Sequence, residues 1–290
     1  MTAIKDSELL KRIGISSVLI LLLAAIIIFS QNIFFQFLIV GIILALSIIA
    51  SYEFQYLMRM KEIKYPSLLL FIFTPLLVFS IFLTKWISQG VALPAFVLFF
   101  GLIFFSFYYY RRIENSLPSL AACFFSVCYI GIPLGLLLLI LYPPLEIKSM
   151  GRLAIFYLLI VTKITDIGAY FIGKYLGRWK LAKTISPKKT FEGLLGGLIF
   201  AVLASLCFAK SAVFQFREFP IAQAIVLGLI IGIFGQLGDL VESLLKRDAK
   251  VKDSNRIPGL GGLLDMLDSL LFTAPLFFFY LNIISLGQKF

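Results

Sequence analysis

The chain reads as an all-α polytopic membrane protein with about nine transmembrane helices and its N-terminus in the cytoplasm. Three observations predict this. Of 290 residues, 61% are hydrophobic and only 14% are charged, against an apolar share of about 45–50% in soluble domains. The apolar residues gather into runs close to the ~20 residues that a helix needs to cross a bilayer. Counted by alternate connections from the N-terminus, nineteen Lys and Arg fall on one side and six on the other. That bias puts the N-terminus and both large basic loops in the cytoplasm and supports an odd number of spans.

The run 14–30 predicts a first anchor, because it has no small-residue cleavage site and leads into further spans. Only Gln31 and Asn32 separate it from the second span, 33–50. The remaining runs are 66–84, 91–110, 118–142, 153–172, 193–209, 221–240 and 263–286. No polar segment is long enough for a separate soluble domain and no internal repeat is visible. Residues 1–290 therefore form one membrane domain. Its first 150 or so residues supply membrane helices, and 151–290 carry the polar groups. Phe-rich stretches such as Phe104 to Tyr110 read as packing or interfacial aromatics. Glu53, just past the second span, reads as a solvated helix end.

Composition also excludes chemistry. Histidine is absent, which removes Ser-His-Asp catalysis, histidine-ligated zinc and histidine proton relays. Cys123, Cys128 and Cys207 lie in apolar stretches without the spacing of a zinc site or redox pair. The net charge of +11 sits in short segments between spans, which suits a bilayer or phosphate partner and not a nucleic acid.

Polar residues enter the apolar helices from the sixth span onward. Lys163 and Asp166 are three apart, and a charge at mid-membrane costs at least about 2.5–3.5 kcal/mol unless paired or hydrated. They read either as an internal pair or as the lining of a polar cavity. Gln236, Asp239, Ser243, Lys246 and Arg247 fall on about a third of one helix's circumference at 100° per residue. Asp265 and Asp268 share a face at the start of the next helix. The loop between is basic, with Lys252, and ends Pro258-Gly-Leu-Gly261-Gly262, which permits close backbone approach. Upstream, Ser186-Pro187 reads as a helix start. Lys188, Lys189 and Thr190 follow at once, an arrangement able to hold a phosphate at a helix N-terminus. Carboxylates facing clustered cations suggest a metal-bridged polyphosphate.

These blocks resemble the CDP-diacylglycerol synthases, also called phosphatidate cytidylyltransferases. Resemblance is carried by Asp166-Ile-Gly-Ala-Tyr170, by Ser186-Pro-Lys-Lys-Thr190 with Glu192-Gly193, and by Gly238-Asp239 with Glu242-Ser243. It continues through Lys246-Arg247, Lys252-Asp253 and Pro258 to Asp268. It covers roughly 166–268; the N-terminal half matches only in hydropathy and basic start. The family usually has His where this chain has Leu260 and Arg where it has Met266.

The resemblance implies that CTP and phosphatidate give CDP-diacylglycerol and pyrophosphate at the cytoplasmic face of a bacterial inner membrane. It implies Mg²⁺, with room for a second ion, held by Asp239 and Asp265 with Asp268 close by. Lys246 and Arg247 join these acids as catalytic candidates. Ser186, Lys188, Lys189, Thr190, Lys252, Gly261 and Gly262 would bind phosphate, and Asp166, Glu242 and Ser243 would support the site. The sequence is compatible with a homodimer. Other readings of the same residues are an ion-coupled transporter, a CTP-dependent lipid-alcohol kinase and a cytidylyltransferase for another lipid.

Overall fold

The computed structural model describes residues 27–87, 92–111, 114–143, 151–210, 220–252 and 262–287. Eight helices account for almost all of them: α1 Ile33–Met60, α2 Ser67–Leu83, α3 Ala92–Tyr109, α4 Ser116–Leu141, α5 Gly151–Tyr175, α6 Phe191–Lys210, α7 Ile221–Asp248 and α8 Leu263–Gly287. Helices are the expected outcome, since in hydrocarbon each backbone N–H and C=O must find a partner within its own segment. Seven of the eight are long and apolar enough to cross a membrane, and α2, at 17 residues, is a shorter apolar helix. The chain is an integral membrane protein. Of the predicted first span, 14–30, all but the last four residues lie outside the described residues, so the structure confirms eight of the nine expected helices.

Boundaries follow the apolar runs except where polar residues extend a helix. α1 continues ten residues beyond Ala50, and α7 eight beyond Leu240. At 28 residues each and ~1.5 Å per residue, both are longer than the ~30 Å hydrocarbon core. Their C-terminal turns meet in an ion pair, Lys61 to Asp248 at 2.9 Å. At its other end α1 is capped by Asn32, whose Oδ1 accepts from the Phe34 N–H at 2.9 Å.

α4 is the most buried span and touches α1, α2, α3, α5 and α8. Around it α1–α4 form one half, and α5–α8 pack together as the other. Hydroxyl groups tie the second half together where lipid offers no hydrophobic drive for helix association. Tyr157 on α5 donates to Ser205 Oγ on α6 at 2.7 Å, and Ser205 donates to the Ala224 carbonyl on α7 at 2.6 Å.

Small residues set how close these helices come. A Cβ on Gly197 would stand 2.6 Å from Gln236 Nε2, and one on Gly238 would overlap the backbone carbonyl of Asp268. α7 therefore rests against α8 at the level of two acids. Gly238→Ala is expected to push α8 outward, destabilising the fold by about 1–3 kcal/mol and lowering activity. Gly41→Ala, with open space around the new methyl, serves as the neutral control in thermal unfolding.

Between α5 and α6 lies an antiparallel hairpin, β1 Lys180–Ala182 and β2 Ser186–Thr190. This corrects the expectation of a helix starting at Ser186-Pro187. α6 instead begins at Phe191, and Thr190 is its cap, accepting from the Gly193 N–H at 3.1 Å. Pro is tolerated in a strand with an open edge, and docking fixes the choice. The Phe191 N–H donates to the Trp179 carbonyl at 2.9 Å, and Glu192 accepts from the Trp179 N–H at 3.2 Å. Lys188 and Lys189 are thus carried on a strand and not on a helix N-terminus.

Candidate active site

The hairpin lays its lysines over the polar stripe of α7. Lys189 Nζ stands 2.8 Å from Asp239 Oδ2 and also donates to the Gln236 carbonyl at 3.4 Å. Ser243, one turn on, donates to the other oxygen of Asp239 at 3.4 Å. Asp166 of α5 faces the same space and pairs with Lys163 at 3.3 Å. Together they bound a cavity of about 570 Å³ whose lining includes Asp166, Lys174, Lys188, Lys189, Thr190 and Asp239. Asp166 is therefore both paired with Lys163 and part of the cavity lining, whereas Lys163 takes part only in the pair.

Behind the cavity α8 supplies two more acids. Asp268 is 7% exposed and accepts from the Ser269 backbone N–H at 2.5 Å. Ser269 Oγ lies 3.1 Å from Asp268 Oδ1 and 3.3 Å from Asp166 Oδ1, so its one proton serves one carboxylate at a time. Asp166 and Asp268 both feel the negative charge of Asp239. Asp265 is placed differently. Its carboxylate accepts from Lys246, whose ammonium also stands 2.5 Å from Glu242 on the preceding turn of α7. Glu242 is 1% exposed, a burial that several kcal/mol of desolvation would oppose without its cation.

Five carboxylates, Asp166, Asp239, Glu242, Asp265 and Asp268, gather here; Lys163, Lys189 and Lys246 pair with four of them, and Lys174, Lys180 and Lys188 line the same cavity. The acids offer oxygen throughout, the preference of a hard ion. Among the described residues no three acids stand close enough to enclose an ion by themselves.

The other predicted residues are dispersed. Arg247 turns away from the acids and holds the hairpin, donating from Nε to the Ile185 carbonyl at 3.1 Å and from Nη1 to Val251 at 3.3 Å. Ser186 begins β2 half-buried, Lys252 is exposed beyond α7, and Gly262 is buried at the head of α8. Met266 is exposed. Asp253, Leu260 and Gly261 lie outside the described residues.

Glu53 departs from expectation. Far from being solvated, it is fully buried and accepts from the backbone N–H groups of Leu263 and Leu264, each at 2.8 Å. Its partners are about 210 residues away along the chain, so no local signal marks it. Sequence reading also passed over Ser269 and Lys174, although Ser269 adjoins a flagged acid and Lys174 belongs to a basic cluster.

Comparison with known proteins gives the family. The model of the "Cytidylyltransferase family" matches residues 10–284. A phosphatidate cytidylyltransferase of Bacillus subtilis is 36% identical over 256 residues, covering 84% of this chain and 88% of that protein. One from Staphylococcus aureus strain COL is 44% identical over 164 residues, 56% of this chain and 58% of the other. An uncharacterized Escherichia coli K12 protein, YnbB, is 44% identical over 145 residues, 50% of this chain and 47% of that one. The matches to the last two span about half the length of those relatives. Since the family model covers nearly the whole sequence, this chain belongs to the cytidylyltransferase family.

Proposed function

We propose that the chain is a phosphatidate cytidylyltransferase. It joins CTP and phosphatidate to give CDP-diacylglycerol and pyrophosphate, at the cytoplasmic face of a bacterial inner membrane. The observation that carries this reading is the cavity in which Lys174, Lys188 and Lys189 face Asp166 and Asp239, with Asp268 joined to Asp166 through Ser269. One copy of the chain carries every one of these groups.

The phosphate oxygen of phosphatidate forms a bond to the α-phosphorus of CTP, and the bond from that phosphorus to the bridging oxygen breaks. Pyrophosphate departs with the electron pair. The attacking oxygen is already ionised near neutral pH, so no general base is needed and the absence of histidine is no obstacle. The work is to gather two polyanions and to stabilise charge on the leaving group. Lys188, Lys189 and Lys174 supply cations to the phosphates. A polyphosphate that draws Lys189 toward itself releases Asp239 from its ion pair. Asp239 and Asp268, with Asp166 beside them, are the residues that would hold Mg²⁺. When bound, the ion supplies positive charge to the transferring phosphate and the leaving group. Asp265, paired to Lys246, is the acid left for a second ion. The lipid enters sideways between helices with its acyl chains in the bilayer.

Labelled nucleotide tests the reading. Purified protein given phosphatidate, Mg²⁺ and CTP labelled at the α-phosphate is expected to place label in the lipid, while γ-label leaves as pyrophosphate. Lipid labelled from the γ-position would identify a kinase instead. Ion flux in liposomes without nucleotide turnover would identify a transporter.

A further inference from the structure

The acids of α8 must be presented at one rotation of that helix: Asp265 toward Lys246 on α7, and Asp268 with Ser269 toward Asp166 on α5. Something has to hold the helix at that rotation. Its first turn has free N–H groups, which carry partial positive charge and favour an anion. Substrate phosphate is one candidate for that position, yet the amides of Leu263 and Leu264 already donate to Glu53, one to each carboxylate oxygen at 2.8 Å. Charge-assisted bonds of this kind are about twice as strong as neutral ones, and full burial shields them from competing water.

We propose that Glu53 is a positioning residue for cytidylyl transfer. It occupies the anion seat of α8, keeps substrate phosphate out of it, and fixes the height and rotation at which Asp265 and Asp268 meet their partners. The amides it grips directly precede Asp265 and lie one turn before Asp268. α1, which carries Glu53, is itself firmly anchored. It packs on α2, α4 and α8, and just past its end Lys61 forms an exposed ion pair with Asp248 of α7. A residue of the N-terminal half thereby completes a site whose other named groups belong to α5–α8 and the hairpin.

Side-chain chemistry makes Glu53→Gln a sharp probe. The amide keeps the shape, but only its oxygen can accept; its NH₂ would face a backbone N–H, donor against donor. Glu53→Asp keeps the charge with a shorter reach and should rescue in part. The cationic cavity is lined by α5, the hairpin, α6 and α7, so the affinity for CTP should survive either change.

The inference rests on the proposed transferase reading, and the test separates the two. Hydrogen exchange over 262–270 in the full-length, nucleotide-free protein reads the grip without any activity. Exchange there is expected to accelerate in Glu53→Gln and to be intermediate in Glu53→Asp. In the transfer assay, kcat per folded Glu53→Gln molecule is expected to fall about 100-fold, the scale of an ångström of misplacement. KM for CTP should stay within about twofold, and half-saturation by Mg²⁺ should move upward. Unchanged exchange would overturn the proposal. So would a variant whose only defect is a lower unfolding temperature, with kcat and Mg²⁺ response per folded molecule intact. Faster exchange in a family of variants whose wild type makes no CDP-diacylglycerol would keep the grip and reject the transferase reading.

Discussion

Asp239→Asn is expected to lower turnover by about three orders of magnitude while leaving thermal stability almost unchanged. Asn preserves shape and can still accept from Ser243. What it loses is the charge that, on the proposed reading, meets the cation beside the transferring phosphate. A metal's stabilisation of a phosphoryl transition state is worth several kcal/mol, and about 4 kcal/mol is roughly three decades in rate. The stability cost is small for a separate reason. Asp239 is 40% exposed in its pair with Lys189, and exposed pairs contribute about 0–1 kcal/mol. Lys189 also keeps the Gln236 carbonyl as a partner. Single-turnover transfer with detergent-purified protein, beside a melting curve, checks both halves. Turnover within tenfold of the wild type would remove Asp239 from the chemistry.

The membrane helices were legible because apolar run length is set by the bilayer, a constraint that acts on each segment alone. The polar stripe of α7 was legible for a similar reason: helical period places Gln236, Asp239, Ser243 and Lys246 together before any partner is known. Who pairs with whom was not legible. Asp265 and Asp268 lie three apart on one helix, yet one meets Lys246 and the other joins Asp166 through Ser269. That division depends on how α5, α7 and α8 cross, and the α7–α8 part of it is set by contact at Gly238, where an added Cβ would meet the Asp268 carbonyl.

The hairpin and Glu53 show two ways in which local signals fail. Ser-Pro before two lysines is a fair helix-start pattern, but Thr190 is an equally good cap. Bonds from Phe191 and Glu192 to Trp179 decide between them. At Glu53 the apolar run had already ended, so a solvated end was the natural expectation. Packing of α1 against α8 overrode it. Burial of a carboxylate there is sustained by two amides whose own helix needs an anion, a match that only the folded chain reveals.

Lys246→Met is expected to be the most destabilising single change in the second half of the protein. Its ammonium is the shared partner of Glu242 and Asp265; methionine keeps the length and removes the charge. Glu242, 1% exposed on α7, would then face a second carboxylate across the α7–α8 contact with nothing between them. Removing one partner from a buried ion pair costs about 3–5 kcal/mol, which lowers the melting temperature by on the order of 10 °C. Adding Glu242→Gln should return much of that loss, because the remaining acid, Asp265, is partly exposed. Activity should stay absent in the double variant, since Asp265 no longer has the cation that holds it. Recovery of stability without recovery of transfer would separate what Lys246 does for the fold from what it does for the site. A single variant that melts like the wild type would show that the α7–α8 contact does not depend on this cation.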